Sequence, residues 1–83
     1  MTTKRVEIGQ DWTLISGAAA GYMENQTSSL VLYQVQDASP DPEVNWGHIL
    51  KRDKSIGWSR AVAKPIYAKT HNGQPGYLIV SEG

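Results

Sequence analysis

The chain contains no cysteine, no phenylalanine and no long apolar run, and it has no excess of either charge. Each absence excludes something. Without cysteine there can be no disulfide and no thiolate-bound metal. Only His48 and His71 remain as nitrogen ligands, and they stand at no recognisable ligand spacing. No run approaches the roughly 18 apolar residues of a membrane-spanning helix. The opening residues Met1 to Glu7 lack the apolar stretch of a secretory signal, so a soluble protein without an export signal is expected. Eight Lys and Arg against eight Asp and Glu leave the chain as a whole not basic, and its one basic stretch is short, which makes a nucleic-acid-binding surface the less favoured reading. Eighty-three residues make one domain, residues 1–83, and a domain of that size buries a modest share of its surface. With disulfides and thiolate metal sites excluded, oligomerisation or docking onto a larger assembly is the expected supplement to its core.

The charges, although balanced, are segregated. Residues 6–50 carry Glu7, Asp11, Glu24, Asp37, Asp41 and Glu43 and no Lys or Arg. Residues 51–69 carry Lys51, Arg52, Lys54, Arg60, Lys64 and Lys69 against Asp53 alone. Folding can interleave the two blocks into a mixed surface. Alternatively, they form a dipolar surface by which identical subunits meet basic side to acidic side.

The pattern of apolar and turn residues predicts an all-β fold. Strands are expected over Lys4–Ile8, Trp12–Ser16, Gly21–Gln26, Leu30–Gln36, Trp46–Lys51, Ile56–Val62, Ile66–Thr70 and Tyr77–Ser81. Ser16 to Gly21 is too short and too glycine-bounded for a helix and reads as a bend. The run from Asp37 to Pro42 breaks any ladder, because its two prolines lack an N–H. His71 to Gly76 contains an Asn-Gly pair and is expected to join the last two strands as a hairpin. About six to eight short strands at this spacing point to a small antiparallel sandwich or barrel. Two strands are apolar on both faces: Val31, Tyr33 and Val35 oppose Leu30 and Leu32, and Tyr77 and Ile79 oppose Leu78 and Val80. A loop folded across the outer face would explain this, as would burial of that face against a partner, and the short chain favours the partner.

Chemistry-bearing constellations are thin. Ser59, His71 and Asp53 can be drawn as a triad, but no serine lies in a nucleophile elbow. Gly73 to Gly76 lacks the ending of a phosphate loop, and Asn25-Gln26-Thr27, although a glycosylation sequon in form, reads as a polar turn. No enzyme activity, cofactor or metal is expected. The aromatic residues are three Trp and four Tyr, types suited to half-wet contact positions or to sugar-stacking platforms. Tyr33, Tyr67 and Tyr77 lie within strong strands and are expected to pack in the core. Trp46 and Trp58 stand beside Gly47 and Gly57 and are the better candidates for partner contact.

The order of these segments resembles a known class of proteins. Trp12-Thr13-Leu14-Ile15 is followed by Val31-Leu32-Tyr33-Gln34-Val35 and a turn at Pro40. Then come Gly47-His48-Ile49-Leu50, Pro65-Ile66-Tyr67-Ala68-Lys69 and Tyr77-Leu78-Ile79-Val80-Ser81-Glu82. This succession is similar to that of small structural proteins of tailed bacteriophages, over residues 10–82. The resemblance implies a β-sandwich component of the virion: a capsid decoration, a head-fibre part or a tail-associated part. It implies assembly in the host cytoplasm, docking to other virion proteins and to copies of itself, and no catalytic residue. Under that reading Leu30, Leu32, Leu78 and Val80 are expected at subunit contacts, and Trp46, Trp58, Lys51, Arg52 and Lys54 are expected to face the partner. The alternatives are a module binding carbohydrate or a host receptor glycan through an exposed Trp, and an accessory subunit of a bacterial complex.

Overall fold

Alternation of period two, interrupted every few residues by Gly, Pro, Asn or Asp, leaves the backbone of this chain little option but paired strands. The structure, a computed structural model, describes residues 2–83. Eight strands lie among the described residues: β1 (Thr2–Ile8), β2 (Thr13–Ser16), β3 (Ala20–Asn25), β4 (Val31–Val35), β5 (His48–Leu50), β6 (Ser55–Ser59), β7 (Ile66–Thr70) and β8 (Gly76–Glu82). They form two antiparallel four-stranded sheets, β1-β8-β3-β6 and β2-β7-β4-β5. The all-β expectation holds strand by strand, with ends displaced by a few residues at most.

The connectivity differs from expectation at the end of the chain. β7 and β8 are not a hairpin. β7 pairs with β2 and β4 in the second sheet, and β8 pairs with β1 and β3 in the first. Gly73 takes a positive φ of 79°, but the turn carries the chain from one layer to the other. The crossing is fixed by Thr70, whose N–H (2.9 Å) and hydroxyl (3.1 Å) both donate to the carbonyl of Gly9 at the end of β1. Every connection except β4–β5 passes between the sheets in this way.

Between the layers lies a core of Ile8, Ile15, Met23, Val31, Leu50, Ile66, Ala68, Leu78 and Val80, each at most 4 % exposed. A bulge between Leu14 and Ser16 turns both Ile15 and Ser16 inward. Leu78 and Val80 thus belong to the core and not to a subunit contact. The register of β8 places them opposite Val6, Met23 and Asn25, while Tyr77 and Ile79 take the outer face.

Two polar clasps close the sandwich at opposite ends of β8. At one end Ser16 of β2 donates to Glu82 of β8 (2.5 Å), and Lys4 adds an ion pair at 3.4 Å. The Ser16 hydrogen bond, helped by the Lys4 charge and opposed by partial burial, holds the Glu82 carboxyl below its ordinary pKa. At the other end the fully buried Asn25 uses its whole amide. Its Nδ2 donates to the carbonyls of Ser29 (2.8 Å) and Leu50 (2.9 Å). Its Oδ1 accepts from the N–H (2.8 Å) and hydroxyl (2.7 Å) of Thr27. The acceptor nitrogen of the sequon is therefore enclosed and occupied, and the polar-turn reading of that tripeptide agrees with its place in the fold.

A buried amide with every position filled is costly to lose, because each partner left behind is a desolvated, unpaired group. Asn25→Ala is expected to lower unfolding free energy by about 3 kcal/mol. The nearly isosteric Asn25→Asp should cost at least about as much, since a carboxylate cannot donate to the two carbonyls. Urea unfolding of both variants measures this, and a loss below about 1 kcal/mol would remove Asn25 as the clasp.

Candidate functional site

A domain with one buried core and two outward sheet faces can act through those faces. On the second sheet, Leu32, Gln34 and Lys69 point outward by register yet are at most 9 % exposed. What covers them is the connection between β4 and β5, residues 36–47. Two prolines keep this segment from pairing as strand, and it folds back over the sheet. Pro40 is buried by the fold-back. Trp12 donates from its indole N–H to the carbonyl of Val44 (3.1 Å), Lys69 reaches the same carbonyl (3.4 Å), and its Nζ lies 5.4 Å from the Trp12 ring centre. Gln34 holds the Trp46 carbonyl at 2.7 Å. Of the two explanations for a strand apolar on both faces, the loop cover is the one found at β4. Leu32 is therefore shielded by the chain itself, against the expectation of a subunit contact, and Leu30 lies at the rim with 38 % exposure.

The same fold-back pushes Trp46 outward. Its backbone is anchored while its side chain stays 70 % exposed, beside an open groove of about 360 Å³ lined by Gln34, Val35, Gly47 and His48. Gly47 permits this path, because a Cβ there would sit 2.7 Å from the carbonyl oxygen of Tyr33. Exposed Ile49 (57 %) follows on β5, and the turn that ends β5 presents Lys51, Arg52 and Lys54 to solvent. That turn places Asp53 at a φ of 61° and ties its N–H to the carbonyl of Asn25 (3.0 Å). Trp46 and the basic turn thus share the β5 margin of the second sheet.

Trp58 does not join them. Gly21 opposite it has no Cβ to obstruct the indole, which lies partly buried against the core and donates to the carbonyl of Ala18 (3.0 Å). It is a packing residue of β6, not a free contact. Tyr33 also packs on the core, tilted against His48 with ring centres 5.1 Å apart, and burial pushes its hydroxyl pKa up, opposed by the Arg60 charge.

Among the described residues, no loop is hydrogen-bonded across the outer face of the first sheet. That face presents Tyr22 (48 % exposed), Tyr77 (38 %) and Ile79, with the Arg5 guanidinium 4.4 Å above the Tyr77 ring. Tyr77 was expected in the core. The pairing of β8 puts Leu78 and Val80 inside and sends it outward instead. The segregated charges partly interleave: Lys64 pairs with Asp37 at 3.1 Å, and Lys69 is withdrawn beneath the loop. Among the described residues there is no group of three His, Asp or Glu side chains that could hold a metal ion, and Asp53 precedes β6 whereas Ser59 ends it. No protein-family model, curated protein or solved structure matches this chain.

The two tryptophans of the fold-back have opposite duties, which stability measurements separate. Trp12→Ala removes a hydrogen bond and the platform under Lys69 and is expected to cost about 2 kcal/mol. Trp46→Ala is expected to stay within about 0.5 kcal/mol of the parent. Chemical denaturation of the two variants decides it, and equal losses would show that Trp46 is part of the packing.

Proposed function

We propose that the protein is a structural subunit of the tailed-bacteriophage virion type, one that docks in several copies through the β5 margin of its second sheet. The observation that carries this reading is Trp46. A large aromatic side chain is held 70 % exposed on an anchored backbone, next to exposed Ile49 and the basic turn Lys51, Arg52 and Lys54. Exposed Trp costs solvation and little side-chain entropy, and Trp is the residue type most enriched among side chains that dominate binding energy. A basic rim beside it would orient the approach of an acidic surface and raise the association rate. Exposed acidic residues of a further copy, such as Glu7, Asp11, Asp41 and Glu43, would meet it, and repetition by symmetry makes a modest contact per subunit sufficient. The virion assignment itself rests on the resemblance of residues 10–82 to such proteins, and the host cytoplasm is the proposed place of assembly.

A carbohydrate-binding reading is favoured by one observation, the groove beside Trp46, whose walls include Gln34 and His48 as hydrogen-bonding partners for sugar hydroxyls.

Light scattering across a dilution series and cosedimentation with phage particles test the proposal. The parent protein is expected to associate, and Trp46→Ala to weaken association by at least about tenfold while the fold stays intact. Association undiminished by Trp46→Ala would refute the docking site. Glycan binding that Trp46→Ala abolishes, in a protein that stays monomeric, would replace the virion reading with the carbohydrate one.

A further inference from the structure

Arg60 lies outside the Trp46 margin and carries a buried guanidinium nitrogen. It follows β6, the edge strand of the first sheet, and its backbone N–H donates to the carbonyl of Ala19 (2.8 Å). With Trp58 held to Ala18, the exit of β6 is fixed at two successive points. Arg60 lines a small cavity of about 60 Å³ with Met23, Tyr33, Ile56, Trp58 and Ile66. Its Nη1 is buried and has no hydrogen-bond partner among the described residues. None of the lining residues is acidic.

A buried N–H of a charged group without an acceptor is rare in folded proteins and unfavourable to keep. A cavity of this volume has room for about two waters. Its walls are mostly thioether, aliphatic groups and ring faces, which offer a water few partners beyond Arg60 and Tyr33. A carboxylate suits it better. It is planar, presents two oxygens to the guanidinium fork, and gains strength where apolar walls exclude water. A phosphate is larger, and its charge asks for more donors than one arginine supplies.

We propose that the Arg60 pocket, walled by Tyr33 and Trp58, is a carboxylate-binding site. The carboxylate comes either as a small free anion or as the acidic side chain of a chain lying along the β6 edge. The site shares no lining residue with the Trp46 groove, although its Tyr33 wall packs against His48 of that groove, and it does not depend on the docking proposed there.

The test is a titration of isotope-labelled protein with sodium acetate at constant ionic strength, with chloride as control, followed by NMR at the Trp58 indole N–H and the Tyr33 ring. Saturable shifts at both groups with acetate and not with chloride are expected. Arg60→Met, which keeps the apolar stem, should abolish them, and Arg60→Lys should weaken binding about tenfold through loss of the fork. If Arg60→Met does not fold, Arg60→Lys carries the comparison alone. A blocked Gly-Glu-Gly peptide forms the second arm. Tighter binding of the peptide than of acetate identifies a side-chain ligand, and binding of acetate alone identifies a free anion. Absence of acetate-specific saturation in the parent protein, or shifts unchanged in the Arg60 variants, would overturn the proposal.

Discussion

The Asn25 amide is the constraint on which the rest of this fold depends. Its four hydrogen bonds reach the β3–β4 turn and β5, and its backbone reaches the β5–β6 turn at Asp53 and Lys54. Strands that cross between sheets at nearly every connection share no continuous ladder at the crossings, so something other than ladder bonds must bind layer to layer. Asn25 does so at one end of the core, and Ser16 with Glu82 does so at the other. Buried polar groups specify as much as they stabilise, because a slipped register would leave these groups unpaired. In a domain with no disulfide, that specificity falls to hydrogen bonds.

The one connection that stays within a sheet has a different fate. Between β4 and β5 the chain has no crossing to make, and its prolines prevent a tight hairpin. It folds over the outer face instead, roofs Leu32, Gln34 and Lys69, and leaves Trp46 standing at the margin. The same event therefore hides one apolar surface and creates another. Trp46, Ile49 and the basic turn are displayed because the clasp at Asn25 and the hydrogen bond from Gln34 hold their backbones in place. The contact proposed for this margin would begin from a largely ordered surface, which lowers the entropy lost on binding.

Strands were readable because turn residues punctuate period-two runs, a local signal. Sheet membership was not, because pairing depends on long-range closure: the Asn72-Gly73 turn looks like a hairpin until Thr70 is seen bonded to Gly9. Trp46, Lys51, Arg52 and Lys54 were readable as surface because they sit by turns. Leu78 and Val80 were misplaced because a strand apolar on both faces does not announce which face is inside, and only pairing with Val6, Met23 and Asn25 decides it. Trp58 was misplaced because the room for its indole comes from Gly21, distant in sequence. Arg60 was hidden within a run of basic residues whose other members are mostly solvated.

Fluorine NMR of the protein labelled with 5-fluorotryptophan, recorded over a concentration series, tests the central claim most directly. The three tryptophans give three resonances, and two of them, Trp12 and Trp58, are tied down by indole hydrogen bonds. The Trp46 resonance is expected to shift and broaden as copies associate while the other two stay in place. A Trp46 resonance that remains sharp and unmoved while association proceeds would show that the contacts are made elsewhere on the molecule.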